Sequence, residues 1–355
     1  MAYVNATPTA PPTPPHCRHL VPGVTSRRPL TPPTMRRAAL LALALPAALA
    51  CSGGGTDPAP DTFEGRAGRA YINLPGRPFG LAVTPDGAVL VTHQDTDRLT
   101  RIARDDLVAR ASIVLSTDPG DVLTSPDGSR IVVSAFISGN VHFLNAAPLA
   151  ETRMIPLGPN AYRLALSEDG SRVFVTTTAG KVFALRVADP AILDSVQLAG
   201  SLQGIARHPN GTIAVASTAG SVTLLDPATL DTIRSRTIPP GAQDIVFSRD
   251  GGDLFVALES AVGVLVLDGV TLAPRDTIAF TGALDVVPFG LALSPDGSTL
   301  LVGSAATGTL AIVDLPARTV RSVVALGGAP RRIRFSADGG TAYVANEADR
   351  VDIIR

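Results

Sequence analysis

Residues 289–303 read FGLALSPDGSTLLVG, and residues 79–93 read FGLAVTPDGAVLVTH. Each stretch joins two apolar runs by a Pro-Asp-Gly turn, in which proline presets φ, aspartate tolerates the corner and glycine accepts a positive φ. The pattern, with small variations in the triplet, occurs seven times at spacings of 40 to 46 residues. A repeat of this length is typical of solenoids and propellers, and it decides the fold. The seven turn glycines are Gly87, Gly128, Gly170, Gly211, Gly251, Gly297 and Gly339.

Each repeat contains short apolar runs separated by polar turns; in the sixth they are FGLALS, LLVG, LAIVD and SVVAL. Such runs are typical of β-strands, and four antiparallel strands in about 42 residues describe a propeller blade. The last repeat has only three runs, whereas residues 69–76 (RAYINLPG) form a run outside any repeat. We therefore predict an all-β, seven-bladed β-propeller of four-stranded antiparallel blades over residues 70–355. The N-terminal strand completes the last blade and closes the ring.

The seventh repeat carries the clearest family likeness. It reads GAPRRIRFSADGG and then YVANEADRVDIIR, which resembles the YVTN repeat of bacterial and archaeal β-propellers, the YncE-like group. The resemblance extends over all seven repeats. It implies an extracytoplasmic seven-bladed propeller, and it assigns no catalytic residues to this chain.

The segment before the repeats has the pattern of an export signal. From Met35 it reads MRRAALLALALPAALACSGGG, with two arginines, an apolar core that ends at Ala50, and then Cys51. The core is shorter than the roughly 20 residues that span a bilayer, and it suits a signal peptide. ALAC resembles a bacterial lipobox, in which the cysteine becomes the lipidated N-terminus, and Ser52 after it favours the outer membrane. The alternative is an ordinary signal peptide cut after Ala50.

These patterns divide the chain into four parts. We expect residues 1–34 to be a Pro/Thr-rich leader or a mis-assigned start, and residues 35–50 to be the signal peptide. Residues 51–69 are expected to hold the lipidated Cys51 and a flexible tether, followed by the propeller. The lipid is then the only contact with the membrane, and the protein is exported to the cell envelope.

Composition narrows the possible partners. The chain has a formal net charge of −1. Before Cys51 the only charged side chains are arginines, so the rest of the chain, which includes the repeats, is acidic overall, and it holds no basic run. Nucleic acid is therefore not an expected partner. The two cysteines precede the repeats, which excludes a disulfide framework or a thiolate metal site there. The Asp or Asn residues before the turn glycines lie in seven separate hairpins, so a structural role is favoured over calcium binding.

The candidate binding residues lie where each first strand begins, seven residues before the turn glycine. In propellers, ligands usually sit over the channel on the face opposite the Pro-Asp-Gly turns. Two carboxylates there can hold a cation or share a proton, and an arginine pair can receive a carboxylate or phosphate. The alternative is that these charges pair with neighbours and fill a solvated channel, with the two aspartates facing each other without touching. The seven positions, here called the ring positions, are Gly80, Asp121, Arg163, Gly204, Asp244, Gly290 and Arg332.

Further candidates lie just outside the ring positions: Gln203, Gln243 and Arg331. His93, in THQDTDR, is interpreted as a solvated loop residue between the second and third strands, with a ligand or base role as the alternative. His142 and His208 are expected to be structural. No serine has the context of a nucleophile elbow, and no metal ligands or cofactor motif are found.

Three functions remain open, and the least favoured is a purely structural surface-layer or adhesion component. We favour a monomeric, lipid-anchored extracytoplasmic propeller that acts as a binding or scaffold module for an envelope protein or a small ligand, without cofactor or catalytic residues. The alternative is a propeller enzyme or cofactor-bearing subunit, similar to lactonases or to the propeller subunits of amine dehydrogenases and nitrous oxide reductase. Its site would lie at the mouth of the central channel.

Overall fold

The computed structural model describes residues 70–158, 160–260, 263–280 and 286–355. In these residues there are 28 β-strands and no helix, and the strands form seven four-stranded antiparallel sheets. This confirms the predicted all-β, seven-bladed propeller. Over the same residues, no helix is long and apolar enough to cross a membrane. The predicted leader, signal peptide, lipidated Cys51 and tether lie outside the described residues.

The strands follow one another from the inside of each blade to the outside. Blade 1 contains β2 (Pro78–Val83), β3 (Val89–His93), β4 (Arg98–Ile102) and β5 (Ala109–Val114). Blade 2 contains β6 (Pro119–Thr124), β7 (Arg130–Ala135), β8 (Asn140–Ala146) and β9 (Leu149–Pro156). Blade 3 contains β10 (Ala161–Leu166), β11 (Arg172–Thr177), β12 (Lys181–Arg186) and β13 (Ala191–Gln197).

The remaining blades have the same plan. Blade 4 contains β14 (Leu202–Arg207), β15 (Ile213–Ser217), β16 (Ser221–Leu225) and β17 (Thr232–Thr237). Blade 5 contains β18 (Ala242–Phe247), β19 (Asp253–Leu258), β20 (Gly263–Asp268) and β21 (Pro274–Ala279). Blade 6 contains β22 (Gly290–Leu293), β23 (Thr299–Ser304), β24 (Thr309–Asp314) and β25 (Thr319–Ala325). Blade 7 contains β26 (Pro330–Phe335), β27 (Ala342–Asn346), β28 (Arg350–Ile354) and β1 (Tyr71–Asn73).

The N-terminal strand closes the ring as the sequence predicts. β1 pairs with β28 in antiparallel register, with Tyr71 opposite Asp352 and Asn73 opposite Arg350. Just after β1, the carboxylate of Asp349 accepts hydrogen bonds from two backbone N–H groups, at 2.9 Å and 3.1 Å. The pairing joins residues near the two ends of the repeat array, so blade 7 is built from both.

The core lies between blades. Seven apolar clusters fill the seven interfaces between adjacent blades. Between blades 1 and 2, for example, Leu90 and Leu99 pack with Ile131 and Leu144, and all four are fully buried. Fully burying one such side chain contributes about 1.5–3 kcal/mol. The fourth strands lie at the rim, and β17 is exposed over its whole length.

The seven turns share one backbone feature. Their glycines all have positive φ, from 67° at Gly170 to 97° at Gly211. In the blade 3 turn, the hydroxyl of Ser167 donates to Asp169 at 2.6 Å, and the same carboxylate accepts the backbone N–H of Ser171 at 3.0 Å. We call the side of the disc that carries these turns the turn face, and the opposite side the loop face.

Candidate functional site

The ring positions lie where the first strands of the blades approach one another. A Cβ atom at Gly80 would lie 2.0 Å from the backbone oxygen of Gly120, and one at Gly290 would lie 2.3 Å from that of Arg331. A side chain is therefore excluded at these two points by the neighbouring blade. The positions that do carry side chains hold two aspartates and two arginines.

Arg332 joins the two aspartates. Its Nη2 lies 2.6 Å from Asp121 Oδ2 and its Nη1 lies 2.9 Å from Asp244 Oδ2, so one guanidinium from blade 7 contacts carboxylates of blades 2 and 5. A second bond of 3.1 Å, from Arg332 Nε to Asp121 Oδ1, makes the first pair bidentate. All three residues are buried. The charges of these three residues are thus paired with each other.

The two carboxylates also bind backbone. Asp121 Oδ2 accepts the N–H of Leu164 and Asp244 Oδ2 accepts the N–H of Leu291, each at 3.1 Å, so each aspartate links its own blade to the next one. A cation could bind between the two carboxylates only by displacing Arg332 from both of them. In the ranges that the structure covers, no group of three or more His, Cys, Asp or Glu residues could hold a metal ion.

Electrostatics favour the charged forms of Asp121 and Arg332. Burial opposes the charge of Asp121, but the charges of Arg332 and Arg163 outweigh it and lower the pKa of the Asp121 carboxyl. Burial also opposes the charge of Arg332, and Asp121 and Asp244 outweigh it, so the pKa of Arg332 is raised. Because its carboxyl stays ionised near neutral pH, Asp121 is poorly suited to donate a proton as a general acid.

Two further arginines leave the cluster with an excess of positive charge. Arg163 is buried, its Nε donates to the carbonyl of Gln203 at 3.2 Å, and its Nη1 and Nη2 have no hydrogen-bond partner among the described residues. Arg334 is half-buried, donates to the Ile333 carbonyl at 3.0 Å, and forms no ion pair with a described carboxylate. Burial and the nearby Arg332 lower the pKa of Arg334 to about 10.

A cavity of about 580 Å³ extends from this cluster. It begins at Asp244 and Arg332 and reaches the turn face at Pro209 and Arg249. The sequence predicts a ligand on the loop face instead. Besides leucine, isoleucine, valine and phenylalanine side chains, the lining has four arginines and only two acids: Arg207, Arg249, Arg332, Arg334, Glu168 and Asp244.

Arg334 is the residue that sequence reasoning missed. It lies two residues beyond a ring position, and the equivalent residues of the other blades are apolar and mostly small. Aligning the seven repeats two positions beyond the ring positions would have shown a single arginine among six apolar residues. That column is Ala82, Leu123, Ala165, Ala206, Val246, Ala292 and Arg334.

On the loop face, aromatic rings and cations lie over the cluster. The guanidinium of Arg331 lies 4.7 Å from the ring centroid of Phe289, and that of Arg163 lies 4.8 Å from the ring centroid of Tyr162. Arg331 also donates to Glu347 at 2.7 Å. Gln243 donates to Glu259 at 2.6 Å and Gln203 to Ser201 at 3.2 Å. The three outer candidates, Arg331, Gln203 and Gln243, are therefore engaged in local contacts, and their part in binding stays a prediction.

The interpretation of His93 as a solvated loop residue is wrong. His93 is the last residue of β3 and only 3% exposed, and its Nδ1 lies 2.9 Å from the carbonyl oxygen of Pro75. The segment after β1 passes over the end of β3 and covers the imidazole of His93. Burial lowers the pKa of His93, so the imidazole is neutral near pH 7.

Comparisons with known proteins support the fold. No protein-family model and no curated protein matches this chain. A chain of Kuenenia stuttgartiensis hydrazine synthase is similar with a TM-score of 0.72 and 19% identity, covering 81% of this chain and 97% of that chain. A chain of the mitotic checkpoint complex is similar with a TM-score of 0.72 and 14% identity, covering 90% and 98%. At these identities the likeness shows the β-propeller fold alone, and this fold hosts many unrelated functions.

Proposed function

We propose that this chain is an exported, lipid-anchored propeller of the YVTN or YncE-like kind, and that it acts as a binding module in the cell envelope. The ALAC sequence that ends at Cys51, after an apolar signal-peptide core, supports the anchor. Ser52 favours attachment to the outer membrane. The repeat residues that resemble the YVTN motif support the family.

The ligand of this module is a small organic anion with an apolar body, and it binds in the central cavity. The observation that carries this assignment is the surplus of arginines in a cavity with otherwise mostly apolar walls. Arg334 lines this cavity and has no carboxylate partner among the described residues. In a partly buried site, a carboxylate that reaches Arg334 gains a charge-assisted hydrogen bond, and its alkyl body is removed from water.

The alternative of an enzyme at the channel mouth has less support from the same contacts. The carboxylates of Asp121 and Asp244 are saturated by Arg332 and by backbone N–H groups, so neither is free to act as a base or nucleophile. An envelope protein that docks on the loop face is the alternative partner. A binding measurement separates these cases.

The test is a thermal-shift and calorimetric titration of the full chain with hexanoate, with hexylamine as the ligand of opposite charge. A ligand at 100 times its Kd stabilises the fold by about 2.7 kcal/mol. For a domain of this size the midpoint should rise by roughly 5–10 °C. We expect this rise with hexanoate and none with hexylamine.

Two variants locate the site. Arg334→Gln removes the cationic partner and should abolish the shift, whereas Arg110→Gln, an exposed arginine on the outer strand β5, should leave it unchanged. A shift that survives in Arg334→Gln, or equal shifts with the acid and the amine, would overturn the cavity assignment. Cross-linking in intact envelopes would then be used to find a protein partner.

A further inference from the structure

Blade 2 brings a serine, a histidine and a glutamate into line on its outer half. Ser116 Oγ lies 2.5 Å from His142 Nε2, and His142 Nδ1 lies 3.0 Å from Glu151 Oε1. The serine belongs to the connection between β5 and β6, the histidine to β8 and the glutamate to β9. Three separate segments therefore meet at one hydrogen-bonded chain.

The hydrogen bonds define the tautomer of the imidazole. Glu151 can only accept, so Nδ1 of His142 carries the proton and donates it to the carboxylate. Nε2 is then the acceptor, and both the hydroxyl and the backbone N–H of Ser116 point to it, the latter at 3.4 Å. An imidazole nitrogen that accepts a hydrogen bond from a serine hydroxyl is the arrangement in which histidine removes the serine proton during attack.

Hydrogen-bond donors lie next to the serine oxygen. Asn140 Nδ2 is 3.1 Å and Ser138 Oγ is 3.2 Å from Ser116 Oγ. Both groups donate to Ser116 Oγ itself, so they would stabilise the negative charge that develops on this oxygen as its proton moves to His142. His142 is buried while Ser116 is partly exposed, so a substrate can reach the nucleophile and the base is shielded from water.

The propeller fold itself does not require these residues. The other six blades hold different residues at the position of His142, the third residue of the third strand: Thr100, Phe183, Thr223, Leu265, Ala311 and Asp352. At the position of Ser116, the described residues of other blades are Pro75, Gly158, Ala199, Pro239 and Gly327. Only blade 2 combines a hydroxyl with an imidazole.

We propose that Ser116, His142 and Glu151 form a serine-nucleophile site that cleaves carboxylic esters. His142 Nε2 takes the proton of the Ser116 hydroxyl while Oγ bonds to the ester carbon, and the ester C–O bond then breaks as the leaving oxygen receives that proton. Water adds to the acyl carbon through the same base, and Ser116 Oγ leaves and regains a proton. The products are an acid and an alcohol, and no oxidant or cofactor is consumed.

The substrate's acyl chain is short and apolar. Ile137 lies beside Ser138 and is 62% exposed, and Met154 lies directly opposite His142 on β9 and is 46% exposed. These two side chains offer an apolar surface next to the nucleophile. The site lies on blade 2 away from the central cavity, so it is independent of anion binding there.

The test treats the full chain with a biotinylated fluorophosphonate and with p-nitrophenyl butyrate. We expect the label on Ser116, identified by mass spectrometry of the modified peptide, and ester hydrolysis with a burst of one acyl group per chain. Ser116→Ala should abolish both, and His142→Gln should reduce hydrolysis about 10²–10⁴-fold. Ser235→Ala, an exposed hydroxyl on β17 without a neighbouring histidine, is the control and should behave as wild type.

Glu151 acts as a positioning residue, and its variants have a readout of their own. Glu151→Gln should lower kcat and leave KM nearly unchanged, and Glu151→Asp should restore part of the loss. If Ser116→Ala unfolds the blade, Ser116→Cys keeps a nucleophile, and iodoacetamide should alkylate it at least tenfold faster than a cysteine placed at Ser235. Absence of labelling at Ser116, equal labelling in His142→Gln, or no rate difference between the two cysteines would overturn the proposal.

Discussion

Arg332 contacts a carboxylate of blade 2 and a carboxylate of blade 5 with the same buried guanidinium group. Removing one member of a buried ionic cluster leaves the others desolvated and unpaired, which costs about 3–5 kcal/mol. We expect Arg332→Met to lower the free energy of unfolding by that amount, measured by denaturant titration. Arg331→Met should cost less than about 1 kcal/mol, because the Arg331–Glu347 pair is partly exposed.

The triple variant Arg332→Met/Asp121→Asn/Asp244→Asn separates charge from packing. It removes both uncompensated carboxylates and should recover a large part of the stability lost in Arg332→Met. If the single and triple variants are equally unstable, the contribution of Arg332 is steric, and the electrostatic account of the channel is wrong.

At the residue scale, sequence reasoning found the ring positions but not their contacts. The turn glycines set a register, and that register alone brought Asp121, Arg163, Asp244 and Arg332 to one level of the channel. The long side chain of Arg332 spans the distance between two aspartates, and a register carries no information about side-chain direction. The burial of His93 was missed for a similar reason, since the segment that covers it belongs to another blade.

In six of the seven turns between the first and second strands, hydrogen bonds lower the pKa of the turn aspartate. In blade 2, the hydroxyls of Ser125 and Ser129 and the backbone N–H of Ser129 donate to Asp127, and they lower the pKa of that carboxyl to about 2. The pKa of Asp169 in blade 3 is also lowered to about 2, chiefly by the hydroxyl of Ser167. The aspartates of four other turns share the direction of this shift: Asp86, Asp250, Asp296 and Asp338.

A pH dependence of stability follows from these turns. A carboxylate whose pKa is lower in the folded than in the unfolded state stabilises the fold above its unfolded pKa, about 3.9, and loses this contribution as the pH falls through the folded value. These carboxyls should make little difference to the unfolding midpoint in denaturant between pH 7 and pH 5. As they become protonated between about pH 4 and pH 2, the midpoint should fall. Carboxyl carbon shifts in NMR would give each pKa directly.

Ser125→Ala provides the matched control for one turn. It removes the hydrogen bond that lowers the pKa of Asp127 most, so the pKa of that carboxyl should rise towards its ordinary value. The pKa of Asp169 should stay near 2. If Asp127 titrates at about 2 in both proteins, its hydroxyl contact does not control the charge. The sequence favoured a structural role for these turn residues over calcium binding, because the repeat spacing separates them by a whole blade.

At the element scale, the strand pattern was predictable because each blade buries its first three strands and exposes the fourth. β7 has five buried residues in a row and β17 has none, so the apolar runs mark the inner strands clearly and the outer ones less so. The Ser116–His142–Glu151 arrangement was not predictable at this scale. Its three residues lie on a connection and two strands, and only the fold brings them together.

Closure of the ring belongs to the whole molecule, and Leu74 tests it. Leu74 follows β1, is buried in the cluster between blades 7 and 1, and donates its N–H to Asp349 at 2.8 Å. Leu115 has the equivalent place between blades 1 and 2, with an N–H to Asp97 bond of 2.7 Å. The two positions differ mainly in chain connectivity. Leu115 lies on the segment that links blade 1 to blade 2, whereas the strand before Leu74, β1, is held in blade 7 only by its pairing with β28.

We expect Leu74→Ala and Leu115→Ala to cost similar amounts of global stability, about 2–5 kcal/mol each, since each removes a large buried side chain. Their local effects should differ. In Leu74→Ala, β1 detaches more often and leaves β28 as an unpaired edge, so hydrogen exchange at the amides of Arg350–Ile354 should accelerate at least tenfold relative to the other inner strands. In Leu115→Ala, covalent continuity between β5 and β6 keeps the blades together, and exchange in β28 should follow the global change only. Equal exchange of β28 in the two variants would mean that β1 does not detach from β28 before the rest of the propeller opens.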